Sequence, residues 1–266
     1  MSDSINLFGK DVPLYGVFFF TGVILAVCVA LLLTKKKNPI PLYDMVCSAV
    51  YIMIGAIIGA KLLFIVVSLD SIIEHKLSLL QVIKGGFVFY GGFLGGLLGL
   101  IIYAKQFKMP LSPFMDLYAT VVPLGHAFGR VGCFFGGCCY GKEHDGFFSV
   151  TYTDTVNAAT PLNTPLLAIQ LIEALALLCL FAVLLTVYLK TQKKGLTPTL
   201  YAIIYPIIRF VLEFFRGDRE RGAFLNISTS QWISIAIFAC AIAYLVYTTK
   251  REKTNSSTVT SNNTAE

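Results

Sequence analysis

Charge is what this sequence has least of: Asp, Glu, Lys and Arg together make up 14% of its 266 residues, against 56% that are apolar. A globule of that size needs more polar surface than this to remain in water, so a soluble fold is excluded and lipid is the expected solvent. The net charge of +6 is not gathered into one basic patch, which removes nucleic acid as a partner. Internal repeats, which build many transporters, are missing. So is a secretory leader of the usual form, because only Lys10 precedes the first apolar run and that run is long enough to be kept as a helix. Seven cysteines are an odd number, and four of them lie in apolar runs, which excludes a disulfide scaffold.

What is present is a series of apolar runs, at 14–33, 46–69, 86–104, 112–128, 166–189, 196–215 and 231–249. A hydrocarbon core of about 30 Å takes roughly 20 residues to cross at 1.5 Å per residue. The expected fold is an all-α polytopic membrane protein with about seven transmembrane helices, one transmembrane domain over 1–253 and a disordered cytoplasmic tail over 254–266. Lysines and arginines cluster after alternate runs, at Lys35 to Lys37, Lys105 and Lys108, Lys190, Lys193 and Lys194, and Lys250, Arg251 and Lys253. By the positive-inside rule those ends are cytoplasmic, with the amino terminus outside and the carboxyl terminus inside. The polar stretch 70–85 is expected to lie along the outer interface. The loop within 129–165 is expected to hold a small extramembrane element of short strands.

Glycines in the third run recur every four residues, Gly91, Gly95 and Gly99 on one line with Gly92 and Gly96 beside it, and Gly55 and Gly59 make a shorter series in the second. Such spacing lets helix backbones approach closely, and it can also leave room for lipid chains. Charges at membrane depth each need a partner or a purpose. Arg209, Glu213 and Arg216 share one helical face, and Arg209 with Glu213 can form a structural ion pair. Glu173 and Lys61 have no partner visible in the sequence. The stretch from His126 through Arg130, Cys133, Cys138 and Cys139 to Gly141 is dense enough in glycine to be expected to leave regular helix and admit a ligand close to the backbone. Arg130 at its head offers a planar fork for a phosphate.

Here the residues resemble a known family. Gly129-Arg130-x-Gly132-x-Phe134-x-x-Gly137-x-x-x-Gly141 is similar to the signature loop of prolipoprotein diacylglyceryl transferases. Tyr15-Gly16, the Gly55 to Lys61 stretch, Gln170-Leu-Ile-Glu173 and Arg209-Phe-Val-Leu-Glu213-Phe-Phe-Arg216 resemble further family motifs in the same order. The resemblance implies seven spans with an outward amino terminus, and transfer of a diacylglyceryl group from phosphatidylglycerol to the lipobox cysteine of a prolipoprotein in the bacterial plasma membrane. It implies that Arg130 and Arg216 hold the lipid phosphate and that Tyr15 lines the site. Tyr90, Gly129, Gly132, Gly137, Gly141 and Glu213 complete the expected substrate contacts. In this reaction a thiolate attacks the glyceryl carbon and glycerol phosphate leaves with added negative charge, which two guanidiniums stabilise more than they stabilise the substrate. No metal or redox cofactor is needed.

Three departures stand out. The family's usual third-span His is Tyr90 here, and a phenol titrating near pH 10 is a poor base, so His126, one turn before Arg130, is the candidate to take the thiol proton. The usual Arg of the second span is Lys61. The loop's usual Asn and Glu are Cys133 and Cys138, with Cys139 adjacent. These cysteines can form a disulfide, remain free thiols or, with His126 or His144, bind zinc. The alternatives are a changed donor or acceptor, a membrane transporter, or a thiol-redox protein.

Overall fold

The computed structural model describes residues 4–7, 10–37, 40–73, 86, 88–153, 160–191, 193–218, 223–224 and 227–263. Seven long helices dominate them: α1 (Leu14–Lys36), α2 (Leu42–Val67), α4 (Phe89–Gln106), α5 (Leu111–Phe135), α6 (Ile169–Lys190), α7 (Leu196–Glu213) and α8 (Thr229–Asn263), with a one-turn α3 (Leu69–Ile73) after α2. Five of the seven, α1, α2, α6, α7 and α8, are long and apolar enough to cross a membrane. The other two are diluted, α4 by its glycines and α5 by the polar residues of the site below. Only 6% of the apolar window of α2 is buried within the protein, so its leucines and isoleucines face lipid. The chain is a multi-pass membrane protein.

Three antiparallel hairpins complete the fold: β1 (Ser4–Leu7) with β2 (Lys10–Pro13), β3 (Ser149–Thr151) with β4 (Pro165–Leu167), and β5 (Ala223–Phe224) with β6 (Ile227–Ser228). The β3–β4 pair is the small strand element expected in the 129–165 loop. Most of the expected interfacial arm, 74–85, lies outside the described residues. Over the stretch expected to be a disordered tail, backbone helix runs on from the last span to Asn263. An already nucleated helix adds one hydrogen bond per residue as it extends, so a polar continuation is possible without an apolar face.

The chain forms two compact units, one of residues 1–32 and 115–266, the other of residues 33–114. In the second unit, α2 and α4 pack glycine against backbone. A Cβ added at Gly55 would run into the Gly95 carbonyl, one at Gly59 into that of Gly91, and one at Gly99 into that of Tyr51. Beside this seam the buried Tyr103 donates its phenol proton to Asp44 (2.6 Å).

In the first unit the start of α7 is set by a buried carboxylate from α5. Gly195, at φ 77°, donates its N–H to Asp116 Oδ2 (2.8 Å), and the Thr197 hydroxyl donates to Asp116 Oδ1 (2.9 Å). An acceptor at the helix N-terminus satisfies donors that the helix itself cannot and meets the positive end of its dipole. This fixes the direction in which α7 carries Arg209 and Glu213.

Candidate active site

Helix α5 does not break at its glycines. It continues through Gly129 and Gly132 to Phe135, so Arg130 stands inside the helix rather than on its last turn, and the irregular turn begins at Gly136. Each interior glycine costs about 1 kcal/mol of helix propensity, and close packing offsets this at Gly132. A Cβ there would press to 3.0 Å on the Tyr15 carbonyl, so the glycine is what lets α1 and its Tyr15 lie against α5. At Gly129 an added Cβ would meet nothing within 4 Å, which leaves open space beside Arg130.

The turn that follows uses two left-handed residues, Gly137 (φ 66°) and Cys139 (φ 61°). A non-glycine residue in that region is uncommon and is held there by its surroundings. Here the surroundings are specific: the Thr160 hydroxyl donates to the Gly137 carbonyl (2.5 Å) and Gln170 Nε2 to the Cys138 carbonyl (2.8 Å). The buried Tyr152 donates to the Phe134 carbonyl (2.9 Å), which also accepts from the Gly137 N–H (3.3 Å) at the end of α5. Burial pushes the Tyr152 phenol up to about 12, so it remains a neutral donor.

Past the turn, the loop is stitched to two other segments. Gly141 donates its N–H to the Leu167 carbonyl (3.0 Å), Lys142 to that of Phe215 (2.9 Å), and Gly217 to that of Tyr140 (3.0 Å). Gly141 thereby pairs with Arg216 across a short antiparallel bridge. A side chain at Gly217 would collide with the Gly141 carbonyl, and one at Gly141 would sit 2.6 Å from the Leu167 carbonyl. These two glycines allow the loop to meet the chain just after α7, and the meeting positions Arg216.

The buried charges then form an alternating chain. Arg130 Nη2 lies 3.0 Å from Glu173 Oε1, Glu173 Oε2 lies 3.8 Å from Arg209 Nη1, and Arg209 Nη2 lies 2.6 Å from Glu213 Oε2. Glu213 Oε2 is in turn 4.0 Å from Arg216 Nε, and Arg216 grips Asp218 with two parallel bonds, Nε to Oδ1 at 2.8 Å and Nη2 to Oδ2 at 2.6 Å. Three guanidiniums face three carboxylates. The Arg209–Glu213 pair is the one its four-residue spacing led us to expect. Glu173, without a partner in the sequence reading, has two. Arg130 is held ionically by Glu173, while its Nε has no hydrogen-bond partner among the described residues; nor does Gln170 Oε1. His126 packs edge-on against Tyr205, ring centroids 5.4 Å apart, with the charges of Arg130 and Arg209 acting on it.

The three loop cysteines lie within this arrangement. None of them is in a disulfide, and their sulfurs lie within 4.8 Å of one another. No histidine belongs to that group among the described residues. Hydrogen bonds from the Cys133 and Cys138 thiols hold the Cys139 thiol below its usual range, and the Arg216 and Arg130 charges act in the same direction. Bonding to Cys133 and Cys139 pushes the Cys138 thiol up. Tyr15 lies within electrostatic reach of all three cysteines and of Arg130.

The arrangement therefore gathers His126, Arg130, Arg216, Glu213, Tyr15, Gly129, Gly132, Gly137 and Gly141 within one unit. Tyr90 and Lys61 belong to the other, Tyr90 at the first turn of α4 and Lys61 on α2 with its ammonium 5.3 Å from the Phe64 ring centre. Three contributors were not anticipated: Asp218, Gly217 and Tyr152. Asp218 was concealed in the charged run that follows Arg216, although a carboxylate two residues from a buried arginine is a local signal. Gly217 and Tyr152 act only through contacts distant in sequence.

Fold and site together define a multi-pass membrane protein in which a glycine-rich turn carrying three cysteines lies beside a buried chain of alternating arginines and carboxylates. The family model for prolipoprotein diacylglyceryl transferase matches residues 4–247. Proteins named phosphatidylglycerol–prolipoprotein diacylglyceryl transferase are similar over nearly the whole chain. That of Clostridium tetani (strain Massachusetts / E88) is 35% identical over 248 residues, covering 92% of this chain and 96% of its own. That of Dehalococcoides mccartyi (strain ATCC BAA-2266 / KCTC 15142 / 195) is 31% identical over 241 residues, covering 90% of each. One from Clostridium perfringens (strain 13 / Type A), named with the suffix 2, is 31% identical over 237 residues, covering 87% of this chain and 89% of its own. The chain belongs to the prolipoprotein diacylglyceryl transferase family.

Proposed function

We infer that this chain moves a diacylglyceryl group from phosphatidylglycerol to the lipobox cysteine of a prolipoprotein, releasing glycerol phosphate. The observation that carries the site assignment is the Arg216 fork. It holds the two oxygens of Asp218 in the bidentate geometry that a phosphodiester also satisfies. In this reading the lipid phosphate takes that place and shares it with Arg130, whose Nε has no hydrogen-bond partner among the described residues. As the glyceryl carbon–oxygen bond breaks, charge grows on the leaving phosphate. Two fixed guanidiniums away from bulk water then stabilise the transition state more than the bound lipid.

Glu173, Arg209 and Glu213 hold these two arginines in position. Tyr15, Gly129 and Gly132 border the lipid, with Gly137 and Gly141 shaping the loop. His126 takes the thiol proton, because the thiolate is the nucleophile and an ordinary thiol titrates near 8.5. Tyr90 is a further substrate contact. The lysines that close α1, α4 and α6 support an orientation with the amino terminus outside and the carboxyl terminus in the cytoplasm, in the plasma membrane of a bacterium.

The test is purified protein given labelled phosphatidylglycerol and a lipobox peptide. Thioether formation matched by glycerol phosphate release is the expected result, with Arg216→Lys lowering turnover by about a hundredfold. Release of glycerol phosphate without peptide modification would indicate a different acceptor. Full transfer by His126→Gln would remove the base from its role.

A further inference from the structure

The three thiols at the arginine-flanked turn have no part in the chemistry derived above. Their placement is not incidental to the backbone. Consecutive residues in extended chain send side chains to opposite faces, yet the sulfurs of Cys138 and Cys139 both gather with that of Cys133, one helical turn back across the bend. The left-handed conformation of Cys139 accompanies this convergence. Each segment contributing a sulfur is braced from outside, Phe134 by Tyr152, Gly137 by Thr160 and Cys138 by Gln170. Bracing of this kind orients ligands in built metal sites. None of the three is fully buried, and no fourth Cys, His or carboxylate joins the group among the described residues.

We propose that Cys133, Cys138 and Cys139 form a thiophilic metal site, for Zn2+ or an ion of similar softness, whose open fourth position binds the acceptor thiol and presents it for alkylation. Zinc at about 2.3 Å from each of three tetrahedral thiolates sets the sulfurs about 3.8 Å apart, and they already lie within 4.8 Å of one another. Three thiolates and a divalent ion carry one net negative charge, and Arg216, within hydrogen-bonding reach of Cys139, and Arg130 supply the opposite sign. Three protein ligands with one vacant position is the pattern of catalytic rather than structural zinc.

The role rests on the transfer reading above. The incoming R–SH coordinates the ion and releases its proton to solvent, since coordination deprotonates a thiol outright. The metal-bound sulfur then donates an electron pair to the glyceryl carbon. A carbon–sulfur bond forms, the carbon–oxygen bond breaks with its pair going to the phosphate oxygen, and glycerol phosphate leaves with one more negative charge. Nothing is oxidised or reduced. Metal and guanidiniums divide the work: the ion activates the nucleophile while the arginines hold the leaving group.

Elemental analysis and Co2+ spectroscopy on the full chain in detergent test this apart from turnover. The expected results are about one zinc per chain and, with Co2+, a thiolate-to-metal charge-transfer band whose ligand-field bands shift when a lipobox peptide is added but not when its Cys→Ser analogue is. Cys138→Ser and Cys139→Ser lower metal affinity by about tenfold or more, while Cys179→Ser on α6 leaves it unchanged. If the serine variants fail to fold, stripping the wild-type protein with a chelator and restoring Zn2+ is expected to abolish and recover transfer. Full transfer by metal-free protein overturns the proposal and leaves the transfer reading intact. A bound metal whose spectrum ignores the peptide overturns the acceptor role. A bound metal with no transfer to any lipobox peptide sinks the transfer reading, and that role with it.

Discussion

The two units of this protein are held together by opposite means. In 33–114 the helices α2 and α4 meet through glycines, backbone against backbone. In the other unit the helices α5, α6 and α7 meet around Arg130, Glu173, Arg209 and Glu213, four ionisable groups taken out of water. Helix association in lipid has no hydrophobic drive, so close packing is the economical solution and the glycine seam uses it. Buried ion pairs are a poor source of stability, because desolvation consumes most of their attraction. Their concentration around Arg130, Glu173, Arg209 and Glu213 marks where function, not folding, determined the residues.

That contrast makes the ionic unit the more fragile. Removing one partner from a buried pair leaves an uncompensated charge, at a cost of about 3–5 kcal/mol. Glu173→Gln takes from Arg130 the carboxylate that holds it, while Arg209 keeps Glu213, and is expected to cost about that much, read as a fall in the thermal or denaturant midpoint in detergent. A loss of activity with unchanged midpoint would mean that the carboxylate positions the arginines without stabilising the fold. In the other unit, Gly95→Ala drives a methyl into the Gly55 carbonyl, with the Gly59 Cα only 2.9 Å away. Backbone cannot rotate aside, so an overpacking penalty of about 1–3 kcal/mol is expected by the same measurement.

These two seams were unequally legible. Glycines spaced by four and a glutamate four residues from an arginine are local patterns, and both Gly95 and the Arg209–Glu213 pair could be read from spacing alone. Glu173 meets Arg130 from another helix, and no periodicity encodes that. The end of α5 was misjudged because propensity penalises Gly129 and Gly132, whereas the contact with Tyr15 that keeps the helix regular is tertiary. The same limit hid Tyr152, which was an ordinary residue of an outer loop until the fold set its hydroxyl on the Phe134 carbonyl. Tyr152→Phe removes the shorter of the two hydrogen bonds to that carbonyl, leaving it the Gly137 N–H, and is expected to cost about 1 kcal/mol. It also loosens the cysteine turn, which faster thiol labelling of Cys138 and Cys139 would register.

The smallest effect carries the sharpest comparison, because it pits two neighbouring glycines of one helix against each other. Gly92 and Gly95 are both part of the repeat, yet their surroundings differ. An added Cβ at Gly92 meets the Ala56 carbonyl and the Ala60 methyl at 3.5 Å, ordinary contact distances, whereas at Gly95 it overlaps backbone. In a helix, Ala is favoured over Gly by about 1 kcal/mol. Gly92→Ala therefore gains propensity without an opposing clash and is expected to leave the unfolding midpoint unchanged or raise it by less than about 1 kcal/mol equivalent. If Gly92→Ala lowers the midpoint as much as Gly95→Ala, backbone approach is not what the seam selects for. If instead it is neutral for stability but slows transfer, Gly92 serves by leaving space, the second role that its position on the glycine-rich face allows.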